Sequence, residues 1–460
     1  MNDQVSDAAA RPERKLSLWD CTSILVGIII GSGIYESAGL VAAQVTTVPQ
    51  LAGVWIAGAL FALLGALCYA ELATRFPEQG GDYVYLSQAF GKPVGFLFAW
   101  TQLWVIRPGS IGALACVFAT YAAELQSLGR HSFLIYACGS IVVLTLINIL
   151  GVQQGRWTQN LLSAAKILGI GLLIVGGLTA GDRHQHPDYE EKAGSWSLAM
   201  IFVLFAYSGW NEMGCVAAEV RDPRRNISRA LLLGTTIVAA AYLGINAACG
   251  NVLGLSGLRI SAAVPADAAD ALWGHAGATA ISLLICISAL GSTNGMIFTG
   301  ARIYYAMGKR QRLFAPLAIW SPRFGTPIVS LLLQAAVTLG LVVGFSRSSA
   351  AGEARSEFGR LVIFMTPPFY LFLIASACAV IVFRLRRTGG DDGVYRMPLF
   401  PLPPLVIIAA SAFMTYSGVD YILFKYTQQG AKLLWPIVWV AGTFVSGVAL
   451  AIVDRKENAT

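Results

Sequence analysis

Apolar runs of roughly twenty residues recur along the whole chain, and this recurrence constrains the fold more than any other feature. The chain has 460 residues, of which 56% are hydrophobic and 12% charged, and its mean hydropathy is +0.64. This composition indicates an all-α integral membrane protein rather than a soluble domain. We count about twelve transmembrane spans, centred near residues 18–45, 50–74, 93–123, 132–151, 157–180, 196–219, 228–252, 270–307, 326–345, 359–384, 402–422 and 434–453.

Basic residues are distributed unevenly between the two sets of loops. With the N-terminus placed inside, most of the 32 lysines and arginines fall in inner loops, whereas the longest outer loop, 181–194, is net acidic. The positive-inside rule therefore predicts that both termini are cytoplasmic. Residues 1–17 form a polar cytoplasmic tail without the apolar core of a signal peptide. Because the basic residues lie in short loops, the net charge of +7 gives no support to a nucleic acid partner.

Cysteine and histidine patterns give no support to a metal site or an enzyme. The eight cysteines fall in or at the ends of apolar runs without a CxxC pair, which predicts small core residues. The four histidines lie in or near predicted outer loops, and no HExxH motif or Ser/His/Asp set occurs at a shared depth. We therefore expect no cofactor and no catalytic site. A channel is disfavoured because the chain lacks a repeated polar filter.

Two of the spans carry helix-breaking residues at their centres. In the first span, Gly31 and Gly33 flank Ser32, and each glycine costs roughly 1 kcal/mol of helix stability relative to alanine. In the sixth span, residues 207–209 (Tyr-Ser-Gly) interrupt an apolar helix. Unwound backbone survives in a bilayer only where it lines a cavity, and such broken helices mark the substrate sites of transporters. The alternative is a glycine-rich face that lets helices pack closely.

The two interrupted spans lie five spans apart, as expected for an inverted repeat of five plus five helices. We predict a transporter core at residues 18–386, with the two repeats at about 18–180 and 196–386. Residues 387–460 then hold the eleventh and twelfth spans and a short tail.

Two basic residues lie inside predicted spans, where a charge costs about 2.5–3.5 kcal/mol at mid-helix. Arg107 is followed by Pro108, which favours a structural role at a helix kink. Lys166 has no nearby partner in the sequence, which favours a role in a functional site.

Six groups of motifs occur in order between about Leu18 and Pro404. They are IIGSGIY at 29–35, PEQGGDYVY at 77–85, IRP at 106–108 with FATY at 118–121, FAYSGWN at 205–211 with DPRRNI at 222–227, GSTNG at 291–295, and SPRFGTP at 321–327. Together they resemble the amino acid–polyamine–organocation (APC) superfamily and, within it, the L-type amino acid transporter (LAT) family. The resemblance implies a LeuT-like fold with broken helices 1 and 6 and alternating access.

The resemblance also assigns the substrate to the main chain at the two breaks. In the family, the substrate carboxylate meets amides of the first break, and the ammonium meets carbonyls freed by both breaks. The corresponding amides here are those of Gly31, Ser32, Gly33 and Ile34. The corresponding carbonyls are those of Ile29, Phe205 and Ser208, with Ala206 and Gly209 in the same site and Tyr207, Trp210 and Asn211 as gate or pocket-wall residues.

Two positions refine the function that the resemblance implies. Ser208 resembles the branch for small neutral amino acids, whereas family members for large ones tend to have glycine there. Lys166 aligns with the family's fifth-helix lysine, whose ammonium replaces the sodium ion that ties helices 1 and 8 together in related carriers. We therefore predict sodium-independent exchange of neutral, small L-amino acids. One alternative is proton-coupled uptake in which Lys166 or Glu219 titrates. Another is a carrier of cationic amino acids or polyamines that uses Glu36 or Glu212.

One loop departs from the pattern of the animal members. In those L-type transporters, the outer loop between spans three and four carries a cysteine that links to a heavy subunit. The loop here, residues 124–131 (ELQSLGRH), has no cysteine, so we expect no disulfide-linked heavy subunit. With its short tails, the chain resembles a prokaryotic protein of the inner membrane whose partners are its amino acid substrate and the lipid bilayer.

Overall fold

The computed structural model describes residues 14, 16–31, 33–78, 80–151, 156–180, 194–347, 354–386, 394–429 and 434–457. Within these ranges the chain is helical, and its only β-type pairings are two isolated bridges, Leu16 with Val220 and Ser321 with Thr326. The predicted all-α class is thereby confirmed. Outside the described residues lie Ser32, most of the acidic loop 181–194 and most of the polar tail 1–17.

In a bilayer, a helix satisfies its backbone hydrogen bonds within itself, so each apolar run folds as helix. The helices are α1 (Leu18–Ile29), α2 (Gly33–Ala42), α3 (Val48–Arg75), α4 (Asp82–Phe90), α5 (Lys92–Thr101), α6 (Arg107–Leu125), α7 (Ser132–Ile149), α8 (Arg156–Thr179), α9 (Trp196–Ala206), α10 (Met213–Val216), α11 (Pro223–Ile260), α12 (Val264–Arg310), α13 (Ile328–Arg347), α14 (Ala354–Arg386), α15 (Leu402–Gln429) and α16 (Leu434–Glu457). A π-helical segment, Gln102–Ile106, joins α5 to α6, and 3-10 turns lie at Trp210–Glu212, Ala217–Glu219 and Arg312–Ala318.

The described helices cross a membrane several times. Nine helical segments of the described residues are long and apolar enough to span a bilayer, and one of them is the continuous run of α5, the π-helical segment and α6. The bent pair α1 and α2 makes a tenth span. The axes of α1 and α2 differ by 44°. The two other predicted spans correspond to α8, whose apolar part is shorter, and to the interrupted segment from α9 to Glu219. The chain is therefore a multi-pass membrane protein, and the count of twelve spans and the division into two repeats stay predictions.

Both halves of the first span are enclosed by later parts of the chain. The half that precedes the break, α1, packs against α8, α11 and α12. The half that follows it, α2, packs against α9 and α11. These neighbours explain why most side chains of α2 are buried although the helix is only ten residues long.

A backbone pairing joins distant segments on the side of the molecule at which α1 begins. The Leu16 amide donates to the Glu219 carbonyl at 3.0 Å, and the Arg221 amide donates to the Leu16 carbonyl at 2.9 Å. Immediately afterwards, Ser17 and Asp20 form a capping box, in which each side chain accepts a hydrogen bond from the other residue's amide. The start of α1 is thus tied to the end of the sixth span.

An ion pair on the same side joins α3 to α14. The Glu71 carboxylate accepts two hydrogen bonds from the Arg384 guanidinium, at 2.7 and 2.6 Å, and one from the Met397 amide at 3.1 Å. Bidentate pairs of this kind fix geometry as well as contributing energy. Glu71 is buried, so its charge is balanced within the protein.

All eight cysteines lie in the described residues, and none forms a disulfide within the chain. Five are buried and three are partly buried. The prediction that they are core residues of the helices is confirmed for the five buried cysteines.

Candidate functional site

The first span is broken where the sequence predicts. α1 ends at Ile29 and α2 begins at Gly33, and the intervening Ile30 has the non-helical angles φ −75° and ψ 55°. The first amides of a helix have no acceptor within it, so those of Gly33 and Ile34 face the break and carry the positive end of the helix dipole. Both residues are buried, and a low-dielectric environment strengthens the attraction of such a helix end for an anion.

The sixth span is broken in the matching place. α9 ends at Ala206, and the next helical turn, a 3-10 turn, begins at Trp210. Between them, Gly209 has φ 115° and ψ −13°, a conformation that residues with a side chain rarely adopt. Glycine is therefore required at this position. The bounds of the helices confirm both predicted interruptions.

The two breaks lie against each other. A methyl group added at Gly33 would sit 2.8 Å from Cα of Ala206, and one added at Gly209 would sit 3.0 Å from Cγ2 of Ile28. These distances are shorter than the optimal carbon–carbon contact, so the absence of a side chain is what lets the two backbones come this close. The site residues predicted on the first span are thus neighbours of those predicted on the sixth.

A tyrosine with no distinguishing sequence signal joins the two breaks. The Tyr242 hydroxyl on α11 donates to the Ile29 carbonyl at 2.7 Å and lies 3.2 Å from the Ala206 carbonyl oxygen. Carbonyls at the last turn of a helix lack partners within that helix, so a donor from a third helix satisfies them here. The Tyr242 ring is fully buried and packs edge-on to Trp55.

Ser208 forms hydrogen bonds within the sixth-span break. Its amide and its hydroxyl both donate to the Phe205 carbonyl, at 3.0 and 2.6 Å. The Phe205 carbonyl, which was predicted to meet a substrate ammonium, therefore already accepts two hydrogen bonds from the protein. The Ile29 carbonyl likewise accepts one from Tyr242. Two of the three predicted ammonium acceptors thus have protein donors in this structure.

Two broken helices in contact, within a multi-pass helical protein, fit the transporter fold that the motifs imply. Comparison with known proteins then decides the family, because residues 16–450 match the amino acid permeases. The chain belongs to the amino acid permease family. The match covers both breaks, and with the relatives below it confirms the APC and L-type membership indicated by the motifs. The family and these relatives are transporters, so the permease is not an enzyme.

Several curated proteins are similar to this permease over most of its length. The serine/threonine exchanger SteT of Bacillus subtilis (strain 168) is 31% identical over 407 residues, which cover 87% of this chain and 90% of SteT. The b(0,+)-type amino acid transporter 1 of Homo sapiens is 29% identical, covering 88% of this chain and 83% of that protein. The large neutral amino acids transporter small subunit 2 of Homo sapiens is 29% identical, covering 85% and 73% respectively.

Lys166 of the permease lies between α1 and α12. Its ammonium donates to the Gly27 carbonyl at 3.1 Å and to the Ser288 carbonyl at 3.4 Å. The side chain is buried, and these carbonyls supply the polar partners that a cation inside a membrane protein needs. The structure therefore places Lys166 between the helices that correspond to spans 1 and 8, as the resemblance implies.

A serine of α12 completes the contacts of the first break. The Ser288 hydroxyl lies 2.8 Å from the Gly31 carbonyl oxygen and 3.1 Å from that of Ile30. α12 also approaches Gly31 closely, because a methyl group added there would overlap the Ser292 side chain. The unwound carbonyls of the first break are thus met by side chains from α8, α11 and α12.

The aromatic residues around the sixth-span break pack in different directions. Tyr207 and Trp210 are buried and pack against α3, where the Trp210 ring lies 4.9 Å from that of Tyr69 in an edge-on arrangement. Phe205 is only partly buried, and its ring lies 5.5 Å from that of Phe358 on α14. The wall role assigned to Tyr207 and Trp210 stays a prediction, and the ring of Phe205 joins the candidates for it.

Arg107 has a partner that the sequence does not reveal. Its guanidinium lies 3.1 Å from the Glu212 carboxylate and donates to the Thr299 hydroxyl at 3.3 Å. Arg107 is the first residue of α6, directly after the π-helical segment, so its structural role includes a buried ion pair as well as the chain irregularity at Pro108. Glu212, which was one candidate ligand for a cationic substrate, is this partner.

Proposed function

We propose that this permease is a secondary carrier that exchanges small neutral L-amino acids by alternating access, independently of sodium. The observation that carries the proposal is the contact between the two breaks, which brings the amides at the start of α2 beside the carbonyls at the end of α9. Amides at a helix start attract a carboxylate, and freed carbonyls attract an ammonium. Main chain alone can therefore recognise the two charges common to all amino acids.

The proposed site distributes these two charges over the two breaks. The carboxylate binds to the amides of Gly31, Ser32, Gly33 and Ile34. The ammonium binds to the carbonyls of Ile29, Phe205 and Ser208, with Ala206 and Gly209 in the same site and Tyr207, Trp210 and Asn211 at its walls. Each carbonyl oxygen has two lone pairs, so an ammonium can share or displace the donors that Tyr242 and Ser208 now supply.

Small neutral substrates are favoured by two features of the break. The Ser208 hydroxymethyl occupies space where glycine would leave room for a larger substrate side chain. The Glu212 carboxylate is paired with Arg107, which leaves it poorly suited to bind a second cation. SteT is by name a serine/threonine exchanger, which fits a site for small neutral amino acids and an exchange mechanism.

Sodium independence rests on Lys166. Its ammonium joins α1 to α12 through the Gly27 and Ser288 carbonyls, which is the bridging task of a sodium ion in related carriers. A positive charge carried by the protein itself at this place removes the need for a bound metal ion.

We further propose that both termini are cytoplasmic, in a bacterial inner membrane. The distribution of basic residues supports this orientation. The loop at residues 124–131 has no cysteine, which supports transport without a disulfide-linked heavy subunit.

A counterflow assay in proteoliposomes tests the proposal. Vesicles preloaded with one unlabelled amino acid at a time should take up labelled serine fastest when the internal amino acid is small and neutral. Replacing sodium by choline should leave the rate unchanged. Empty vesicles should take up little substrate, with or without a pH gradient.

A matched pair of glycine variants ties the assay to the breaks. Gly209→Ala should abolish most counterflow, whereas Gly340→Ala, on an exposed position of α13 with open space around it, should not. Uptake that collapses in choline would contradict the role of Lys166. Uptake into empty vesicles driven by a pH gradient would favour proton symport instead of exchange.

A further inference from the structure

A small buried cavity lies beside the sixth-span break, on the side at which α1 begins. Its polar lining consists of Tyr69, Asp82, Gln102, Asn211 and Ser376, and apolar side chains of α5, the π-helical segment and α14 complete it. Asn211 connects this cavity to the proposed substrate site, because it follows the break by two residues. The other four polar residues have no part in the proposed exchange mechanism.

Asp82, the first residue of α4, places a carboxylate in this cavity. One carboxylate oxygen of Asp82 accepts two hydrogen bonds. One comes from the Tyr69 hydroxyl of α3, and the other, at 2.8 Å, comes from the Ser376 hydroxyl of α14. The residue is 8% exposed, so water supplies little of its solvation. Among the described residues, Asp82 has two neutral donors and no cation in direct contact. A buried carboxylate in this situation carries a large solvation cost when it is ionised.

The charges around the cavity do not balance when all carboxyl groups are ionised. Ile106 and Asn211 line the cavity, and the residues that follow them, Arg107 and Glu212, form the buried ion pair at 3.1 Å. The single guanidinium of this group is therefore already paired. Ionised Asp82 adds a second negative charge in a low-dielectric region, where one bound positive charge would restore neutrality.

The cavity lining also contains a hydrogen-bond acceptor that is suited to a protonated carboxyl group. The Gln102 side-chain oxygen is buried and has no hydrogen-bond partner among the described residues. An ionised carboxylate only accepts hydrogen bonds, whereas a protonated carboxyl group can donate one. A proton on the second oxygen of Asp82 therefore provides a donor within a cavity that holds an unsatisfied acceptor, while the first oxygen keeps the bonds from Tyr69 and Ser376.

The titratable groups that face Asp82 are few. They are Tyr69 of α3, Arg107 of α6, Glu212 of the 3-10 turn, Tyr85 on the same helix and Cys215 of α10. Burial raises the pKa of Asp82 to about 6; the hydrogen bonds from its two hydroxyl donors and the charge of Arg107 oppose this rise, and the charge of Glu212 adds to it. Its titration therefore falls within the physiological range, which is consistent with a site that exchanges protons.

We propose that this cavity is a proton-binding site at Asp82 whose occupancy sets the strength of the Arg107–Glu212 pair, which links α6 to the sixth-span segment. The step is an acid–base equilibrium: a hydronium ion of the inner water gives its proton to the carboxylate, and water carries the proton away in the reverse step. Ionised Asp82 attracts Arg107 and repels Glu212, so it weakens the pair. Neutral Asp82 leaves the pair undisturbed, so the sixth-span segment is held more firmly to α6 and moves more slowly during transport.

The inference rests on the proposed exchange function for one of its two readouts. Exchange should slow by about fivefold when the inner pH falls from about 8 to about 5, which corresponds to a modest coupling between linked sites. Asp82→Asn, which mimics the neutral acid, should be slow at both pH values and lose the pH dependence. Glu78→Gln, which removes an exposed carboxylate of the same loop, should keep the wild-type profile.

The second readout does not need transport. Infrared difference spectra of the purified protein should show the carbonyl band of a protonated carboxylic acid that appears on acidification and is missing in Asp82→Asn. Gln102→Leu should move the midpoint of this band to lower pH by about one unit, because the cavity then lacks the unsatisfied acceptor for the proton of the acid. A wild-type protein that does not exchange amino acids would refute the proposed function and leave this measurement valid.

Three results would overturn the proton site. The first is an acid band that does not depend on Asp82, and the second is an unchanged pH profile of exchange in Asp82→Asn. The third is a band that disappears when sodium is added at constant pH, since the cavity would then hold a metal ion.

Discussion

The two helix breaks share a glycine-centred sequence pattern, yet the protein holds them in different ways. At the first break, the freed carbonyls of Gly27, Ile29 and Gly31 meet side chains from α8, α11 and α12. At the sixth-span break, the Phe205 carbonyl meets Ser208, three residues away in the chain. The first break is therefore stabilised by distant helices and the second largely by its own loop.

This difference shows what an unwound segment needs in order to persist inside a membrane protein. Its carbonyls require donors, because lipid offers none. The donors come either from a local turn that is encoded beside the break or from the surrounding helices. Tyr242 contributes to both breaks, since its hydroxyl lies within hydrogen-bond distance of a carbonyl of each break. Variants that remove each kind of donor test whether the two breaks are stabilised in these different ways.

The largest effect is expected at Lys166, the only charged donor among the described contacts of the first break. Lys166→Met should lower the free energy of unfolding by roughly 2–3 kcal/mol, because hydrogen bonds to charged groups contribute more than neutral ones. The variant should still fold and should exchange amino acids about tenfold more slowly. Lys92→Met, at an exposed position, is the control. Wild-type kinetics in Lys166→Met would show that α1 and α12 do not need this link.

The second largest effect is expected at Gly209, because the local turn that stabilises the sixth-span break depends on it. Gly209→Ala forces a side chain into φ 115° and against Ile28, at a cost of about 1–3 kcal/mol. The melting temperature in detergent and the rate of counterflow should both decrease. Gly340→Ala should leave both nearly unchanged. Equal behaviour of the two variants would mean that the sixth-span break relaxes without cost.

A smaller effect is expected at Tyr242, which serves both breaks. Tyr242→Phe keeps the ring against Trp55 and removes only the hydroxyl, so stability should fall by about 1 kcal/mol. The apparent substrate affinity should change as well, because the Ile29 carbonyl, one of the three proposed ammonium acceptors, loses its donor. Tyr416→Phe, on an exposed position of α15, controls for loss of a hydroxyl. A stability loss without any change in affinity would separate Tyr242 from the substrate site.

The smallest effect on stability is expected at Ser208. Ser208→Ala removes one short, partly buried hydrogen bond and should cost about 0.5 kcal/mol. A second substitution at this position tests substrate selectivity. Ser208→Gly should let larger neutral amino acids compete for uptake. Ser288→Ala on α12 should not change the order of substrate preference. The same substrate order in Ser208→Gly and wild type would refute the role of this side chain in size selection.

The sequence predicts the positions of both breaks because glycine signals them directly. It also predicts the location of Lys166, since a buried lysine is rare and a family motif aligns with it. The donor Tyr242 could not be predicted, because nothing in the sequence around it distinguishes it from a tyrosine that only packs in the core. The donor Ser288 could not be predicted either, because a serine or threonine hydroxyl in an apolar helix often bonds to its own backbone. Thr299 does so, donating to the Gly295 carbonyl four residues back at 3.0 Å. Only the packing of α11 and α12 against α1 selects the other outcome.

The ion pair of Arg107 and Glu212 illustrates the same limit for charges. Each residue stands out in the sequence as a charge in an apolar span, but their partnership joins segments that are distant in the chain. From the sequence, Glu212 was open to interpretation as a ligand for a cationic substrate. The sequence therefore shows that a charge in an apolar span needs a partner. Only the fold shows whether that partner belongs to the protein or to the substrate.

The backbone pairing at Leu16 constrains how the two broken spans can move relative to each other. Two hydrogen bonds fasten the tip of the first half-helix to the tip of the sixth-span segment, at Glu219 and Arg221. A hinge motion of either half pulls on the other at its far end, where the lever arm is longest. In the proposed transport cycle, substrate release on that side therefore requires the two half-helices to move together, and the contacts of both breaks with the substrate weaken at the same time.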